Sequence, residues 1–400
     1  MTNVQGSRGR SAVMILATLM MLAAAIAAPA PAQTFKPLHS FDMADGAYPV
    51  PQQFQPPVQY LAGRGPVSVT VADIDRDGKP DLAVADSEAG AVGIMRGTGG
   101  GFFGRPFLYA AGSGEAGVAA ADLNGDGNVD LAVAPARLNR IGVLLGNGDG
   151  TFQQRVFYGV TACPTSVVVG DLNGDHRPDM VVTNACGSTV SVLLGKGDGT
   201  FRPHIDYSTG PGSEPQSAVL GDFNGDGNLD VATADFATSA VCVLLGNGDG
   251  TFQPGAIYPT SAAFPTSVAA GDFNGDGFPD LAVANSISVG PGGLNVFLGN
   301  GDGTFQPAVA YTTHVDPFAV AVGDFNRDGK LDLAVVSFQN SVVDLFLGNG
   351  DGTFQAKVPY AVGSGPVQLA VADLNGDGAP DIVTVGTSNT ASILLNTGQK

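Results

Sequence analysis

The sequence predicts an all-β chain. The expected fold is a seven-bladed β-propeller of four-stranded antiparallel blades, closed by an N-terminal strand that completes the last blade. Three observations predict it. A nine-residue polar loop recurs seven times, beginning at Asp73, Asp122, Asp171, Asp222, Asp272, Asp324 and Asp373, with spacings of 49, 49, 51, 50, 52 and 49 residues. Each period carries four short runs of small, β-branched or aromatic residues. A repeat of about 50 residues with four strands is the arithmetic of propeller blades, whereas a β-roll repeats every nine residues or so.

Residues 1–32 read as a secretory signal. Arg8 and Arg10 form a basic start, Ala12 to Ala28 are almost wholly apolar, and Ala30-Pro31-Ala32 is a small-residue cleavage site. A retained anchor is the alternative, because about 17 apolar residues is near the lower limit of a membrane span. The small residues and prolines that follow favour cleavage, which leaves no transmembrane segment and a secreted or periplasmic chain. Residues 33–53 include "YPVPQQ" and read as a tether or as a strand packed outside the ring. The propeller is expected over 54–400.

Within the repeat, a run such as "SVTVAD" or "SVVVGD" precedes each loop and one such as "DLAVAD" follows it. A third, such as "IGVLLG", leads through a turn, most often "GNGDG", to a fourth. Near-continuous apolar runs of four to seven residues bounded by Gly and Asp suit strands buried on both faces. The small residues of the first run suit a crowded position near the axis. The fourth run spans Phe54–Tyr60, Phe103–Tyr109, Phe152–Tyr158, Phe201–Tyr207, Phe252–Tyr258, Phe305–Tyr311 and Phe354–Tyr360. Its first copy precedes the first loop, and the chain ends on a third run, "ASILLN". The orphan copy at the start therefore completes the last blade and hides an edge that would otherwise template aggregation.

The loop itself, D-x-[DN]-x-D-G-x-x-D, sets oxygen-bearing side chains at positions 1, 3, 5 and 9. Position 3 is Asn in six copies and Asp75 in the first; position 6 is Gly except at His176; position 7 varies freely. A polar turn is one reading, since Asp, Asn and Gly are turn residues. Calcium is the other: a hard cation takes several oxygen ligands, and a variable position fits a backbone carbonyl ligand. Seven-fold repetition of the same four side chains favours calcium, with up to seven Ca²⁺. The expected side-chain ligands are Asp73, Asp75, Asp77 and Asp81; Asp122, Asn124, Asp126 and Asp130; Asp171, Asn173, Asp175 and Asp179; Asp222, Asn224, Asp226 and Asp230; Asp272, Asn274, Asp276 and Asp280; Asp324, Asn326, Asp328 and Asp332; and Asp373, Asn375, Asp377 and Asp381. An EF-hand does not fit, lacking the Glu at position 12 and the flanking helices.

The formal charge is −19, or −21 without Arg8 and Arg10. Of the 37 acids, 22 lie in the loops and five in "GDGTF" turns, so the acidity is mainly that of metal ligands and turns. It opposes nucleic-acid binding, which needs a basic footprint. Cys163 and Cys186 flank the third loop almost symmetrically and are expected to form a disulfide, as suits an exported chain. Cys242, inside "AVCVLLG", reads as a buried small residue.

Loops and period together resemble FG-GAP/VCBS repeats, the repeats of the integrin α-chain propeller and of some bacterial secreted proteins and fungal lectins. The resemblance covers residues 54 to 396. The "FG" and "GAP" halves are degenerate, "FQ" and "VAD" mostly replacing them. It implies a propeller, calcium at positions 1, 3, 5 and 9, and a role in adhesion.

No hydrolase, zinc-helix or phosphate-loop motif occurs. Of His39, His176, His204 and His314, the second lies in a loop and the third in a fourth run, neither with a partner at catalytic spacing. A non-enzymatic binding module for a protein or matrix partner is expected. A glycan-binding lectin is the alternative, disfavoured by the absence of Trp; a scaffold without a ligand is another. Recognition is expected at the end away from the loops, where connections vary between blades: Arg137, Arg140, His314 and Asp316.

Overall fold

The computed structural model describes residues 53–112, 114–287 and 292–398. The signal sequence, the tether as far as residue 52, and His39 lie outside the described residues. The described part is a ring of seven four-stranded antiparallel sheets. The innermost strands are Pro66–Ala72, Glu115–Ala121, Pro164–Gly170, Pro215–Gly221, Pro265–Gly271, Pro317–Gly323 and Pro366–Ala372. Each packs beside the next, and Pro366–Ala372 packs beside Pro66–Ala72. Space near the axis is short. A Cβ on Gly117 would lie 3.1 Å from the Cα of Ser166 in the next blade, which is why these strands are built from small residues.

The second strand of every blade is buried along its whole length, as in Asp81–Asp86 and Asp230–Asp235. Neighbouring blades cover both of its faces, so its sequence is continuously apolar rather than alternating. The core is therefore divided into seven clusters, each formed between adjacent blades. One joins Ile74, Val92 and Ile94 of the first blade to Leu131, Val133 and Leu144 of the second. In the seventh blade the outermost strand comes from the other end of the chain: Val58–Leu61 pairs antiparallel with Thr390–Leu394, Val58 opposite Ile393. Gln53, placed in the tether by sequence, belongs to this blade. Its Nε2 donates to Asn396 Oδ1 at 2.9 Å, and its carbonyl accepts from Thr397 N–H at 2.8 Å.

The fourth run differs from its sequence reading. It is one strand on paper, but in the structure it divides. Its Phe makes a single bridge, such as Gly146 with Phe152, and pairing resumes four residues later in a four-residue strand such as Val156–Gly159. The Phe side chain turns into the inter-blade core, and the exposed residues after it carry the chain to the outer edge before pairing resumes. In the first blade a short hairpin, Gly97–Gly99 with Phe102–Phe103, takes the place of that bridge.

The Phe and Tyr that bound the run clasp adjacent blades. Tyr60 meets Phe103, Tyr109 meets Phe152, Tyr158 meets Phe201, Tyr207 meets Phe252, Tyr258 meets Phe305, Tyr311 meets Phe354 and Tyr360 meets Phe54. All seven pairs are edge-to-face, with centroids 5.0 to 5.9 Å apart. This is the arrangement that the aromatic quadrupole favours. The Tyr109 hydroxyl also donates to the Gly150 carbonyl at 3.1 Å.

Candidate metal centres

Every polar loop connects an innermost strand to the second strand of its blade, at the end of the ring that also holds the turns between third and fourth runs. Neighbouring loops and turns touch there: Arg76 Nη1 donates to Asn128 Oδ1 at 3.1 Å, and Arg96 reaches the Asp149 carbonyl at 2.5 Å.

Position 1 organises the curl. Asp122 Oδ1 accepts from the N–H groups of Gly125 and Asp126, at 2.7 and 3.1 Å, and Oδ2 accepts from Gly127 at 2.8 Å. The same contacts recur around Asp222, Asp272 and Asp373. Two loop positions take left-handed backbone. Position 6 is Gly in six loops, and His176 holds φ 60° in the third. Position 4 was missed in the sequence. It is Gly in five loops, and Arg76 and Arg327 hold φ 62° and 59° in the first and sixth.

Position 9 is buried to zero exposure in all seven loops: Asp81, Asp130, Asp179, Asp230, Asp280, Asp332 and Asp381. Asp130 Oδ2 accepts from Leu123 N–H at 2.9 Å and Oδ1 from Gly146 N–H at 2.6 Å. It thus ties the loop to the end of the third strand. A Cβ on Gly146 would stand 2.2 Å from the Val129 carbonyl oxygen, so in this blade glycine lets the two segments meet. Asn396 replaces that glycine in the seventh blade. Its N–H donates to Asp381 Oδ1 at 2.6 Å and its side-chain amide to the Pro380 carbonyl at 3.1 Å.

Burial pushes Asp130, Asp179, Asp230, Asp280, Asp332 and Asp381 up to about 6, against the backbone hydrogen bonds that favour their charged forms. Neighbouring loop carboxylates add to the rise. Asp81 is raised for the same first reason. Position 5 moves the other way: the Asn128 N–H bond holds Asp126 below 3.8, and the Lys79 ammonium does so for Asp77.

The residues fit a hard cation. The donor set is all oxygen, and in the first loop Asp73, Asp75 and Asp81 each bring a carboxylate oxygen within 4.8 Å of the others. A carboxylate offers about four lone-pair directions, so the backbone bonds on Asp81 leave capacity for a metal. In five of the other loops the position-3 amide donates to position 5, as Asn124 does to Asp126 at 3.0 Å.

Cys163 and Cys186 form a disulfide at the opposite end of the third blade, with Cα atoms 5.3 Å apart. Cys242 is a free, buried thiol. Of the residues expected to face a ligand, Arg137 and Arg140 lie together, apart from His314 and Asp316. Arg137 and Arg140 are exposed on the second blade. His314 precedes the innermost strand of the sixth blade, and its Nδ1 lies 2.6 Å from Oδ1 of buried Asp344, with Lys357 beside both. Asp316 does not face solvent: it is 1% exposed and its Oδ1 accepts from Ser286. Its left-handed backbone, φ 65°, accompanies this inward placement, which its polar neighbours in sequence did not reveal.

Six segments, 73–133, 122–182, 171–233, 230–283, 285–335 and 327–384, match the family model described as FG-GAP-like repeat. No curated protein matches the chain. Among solved structures, the N-terminal part of BBS1 in complex with ARL6 is similar with TM-score 0.62 and 14% identity, covering 87% of this chain and 98% of that one. The virginiamycin B lyase of Staphylococcus aureus is similar with TM-score 0.57 and 14% identity, covering 85% and 98%. A lectin of Agrocybe aegerita that recognises non-reducing terminal N-acetylglucosamine is similar with TM-score 0.51 and 20% identity, covering 74% and 80%. At these identities the likeness is one of fold.

Proposed function

This chain belongs to the FG-GAP-like repeat family, and from that premise we propose that it is a calcium-loaded, non-enzymatic binding module for a protein or matrix partner. The observation that carries the calcium reading is the approach of Asp73, Asp75 and Asp81, set in a loop pattern that recurs in all seven blades. Positions 1, 3, 5 and 9 hold the ion, which supplies positive charge to a crowd of carboxylates. The chain's own residues do the rest. The position-1 carboxylate curls the loop, and position 9 couples it to the third strand.

A propeller is a fold often used to bind proteins, and the BBS1 neighbour is seen with a protein partner. Export to an oxidising compartment is part of the same proposal, supported by residues 1–32 and by the Cys163–Cys186 disulfide. A lectin is less well supported. No Trp is present, and every Tyr of the fourth runs is engaged in an inter-blade clasp.

The test is metal analysis of the purified protein together with calcium titration calorimetry, followed by capture of surface or matrix proteins with and without chelator. A stoichiometry of several calcium ions and chelator-sensitive capture support the proposal. A metal-free protein that takes up no calcium overturns it.

A further inference from the structure

The outer rim of the second blade carries an arrangement that the calcium loops do not explain. Phe157 lies on the outermost strand, Val156–Gly159, opposite Gly142. A Cβ on Gly142 would sit 3.2 Å from the Ala111 carbonyl oxygen and 3.4 Å from the Phe157 ring, so the ring lies close against the neighbouring strand. Two guanidiniums lie over that ring, Arg140 at 4.6 Å and Arg155 at 5.0 Å from its centroid. Cation–π contact fixes both side chains without using their N–H donors. A third, Arg137, rests its stem on Gly114, where a Cβ would come within 2.8 Å of it.

In a chain of formal charge −19, none of these three arginines has a carboxylate partner among the described residues. Beside other outermost strands, Lys357 is paired with Asp344 and His204 with Asp206, while Arg105 and Arg202 stand singly and no second or third arginine joins them over an aromatic ring. Two shallow depressions, of 540 and 500 Å³, meet at Phe157, one rimmed by Arg137 and Arg140 and the other by Arg155. The strand itself is last in its sheet, so one row of its backbone N–H and C=O groups is free to pair.

We infer that this rim is a docking site for an extended acidic peptide segment, which adds as a fifth strand along Val156–Gly159 and places its carboxylates on Arg137, Arg140 and Arg155. Backbone pairing supplies affinity and alternate side chains supply specificity, as in other strand additions. The planar guanidinium forks suit carboxylates held in two-point contact. A sugar ligand fits less well, because guanidiniums already cover the ring on which it would stack. The inference stands on blade geometry and charge and does not depend on the calcium reading.

The test uses the full chain in calcium-containing buffer, with three probes and a charge-reversed control peptide. The first is a capped hexapeptide of alternating glutamate and threonine, the second the same peptide N-methylated at alternate residues, and the third a sulfated oligosaccharide. Calorimetry or fluorescence anisotropy should show saturable binding of the first peptide. Arg137→Glu with Arg155→Glu should weaken it at least tenfold, with melting and circular dichroism unchanged. A lysine–threonine counterpart should bind the double variant better than the original protein. N-methylation should abolish binding. The inference is overturned if the plain peptide fails to bind, if the double variant binds it unchanged, if the N-methylated peptide binds equally well, or if only the oligosaccharide binds.

Discussion

The ring of Tyr360 meets the ring of Phe54 edge-to-face, with centroids 5.0 Å apart and planes at 81°. Phe54 lies near the start of the described chain and Tyr360 near its end. The contact that ties the N-terminal segment, as part of the seventh blade, to the sixth is thus of the same kind as the six others that join neighbouring blades. Removing one clasp should loosen two blades together. Tyr158→Ala is expected to cost about 2–4 kcal/mol, and Tyr158→Phe about 0.5–1.5 kcal/mol, since Phe keeps the ring contact and loses only the hydroxyl bond. Denaturant unfolding of both variants checks this; equal costs would mean that the ring contact contributes nothing.

Calcium should carry much of the stability. Extracellular modules bind it at roughly 10⁻⁴ to 10⁻³ M, so about 1 mM calcium contributes roughly 0.4–1.4 kcal/mol per site, or roughly 3–10 kcal/mol for seven. A large fall in melting temperature is expected on chelation. An unchanged curve, with metal shown to be absent, would sink the calcium reading.

The buried position-9 carboxylates make stability depend on pH in opposite directions with and without metal. In the metal-free protein six of them titrate at about 6, above their unfolded value of 3.8. Between those values the native state binds more protons than the unfolded chain, so stability should rise as pH falls from about 7 towards 4. With calcium bound, protons compete for the same oxygens, and stability should fall over that range. Paired melting curves with calcium and with chelator should converge as the pH falls. Parallel curves would show that these carboxylates do not ligate the ion.

His176 holds a left-handed backbone with φ 60° and an exposed side chain. Its N–H bond to Asp171 Oδ2, at 2.8 Å, is one that glycine also makes. His176→Gly should therefore stabilise the protein by about 0.5–1 kcal/mol. Chemical denaturation reads the sign directly, and destabilisation would show that the imidazole has a role of its own.

Asp235 ends the second strand of the fourth blade. Burial pushes it up to about 8, and its Oδ2 has no hydrogen-bond partner among the described residues. Asn285, at the same place in the fifth blade, donates to the carbonyl of Val283, two residues back, at 3.0 Å. Asp235→Asn gains the corresponding donor and loses the buried charge, so it should stabilise by roughly 1–3 kcal/mol at pH 9 and by less at pH 6. A gain that does not grow with pH would show that the carboxylate is already ionised in the native protein at pH 6.

Much of this molecule is legible in its sequence because it repeats. The loop spacing, the four runs and the orphan Phe–Tyr run at the start are local patterns, and they predict blade number, strand order and the place of the loops. What stayed hidden depends on neighbours that the repeat does not name. Tyr158 reads as an ordinary strand residue until the next blade places Phe201 beside it. Asp316 reads as a loop acid until Ser286 draws it inward. Arg155 and Phe157 are unremarkable apart; only the folded strand brings two guanidiniums over one ring. Position 4 of the loop went unread because glycine and arginine share no chemistry, only a backbone angle.

The seventh blade has a consequence for the order of synthesis. Val58–Leu61 is made before any other described strand, yet its partner, Thr390–Leu394, is among the last to be made. Until then Leu61 and Val58 have no sheet to join, and Phe54 has no Asn396 to bridge. A ribosome can release six complete blades and still hold an open ring. Closure links segments far apart in the chain, which makes it a slow step, and the unclosed chain is vulnerable to association through its unpaired strands. Once closed, the ring resists fraying at either end, because each end of the described chain lies inside a blade held by the other.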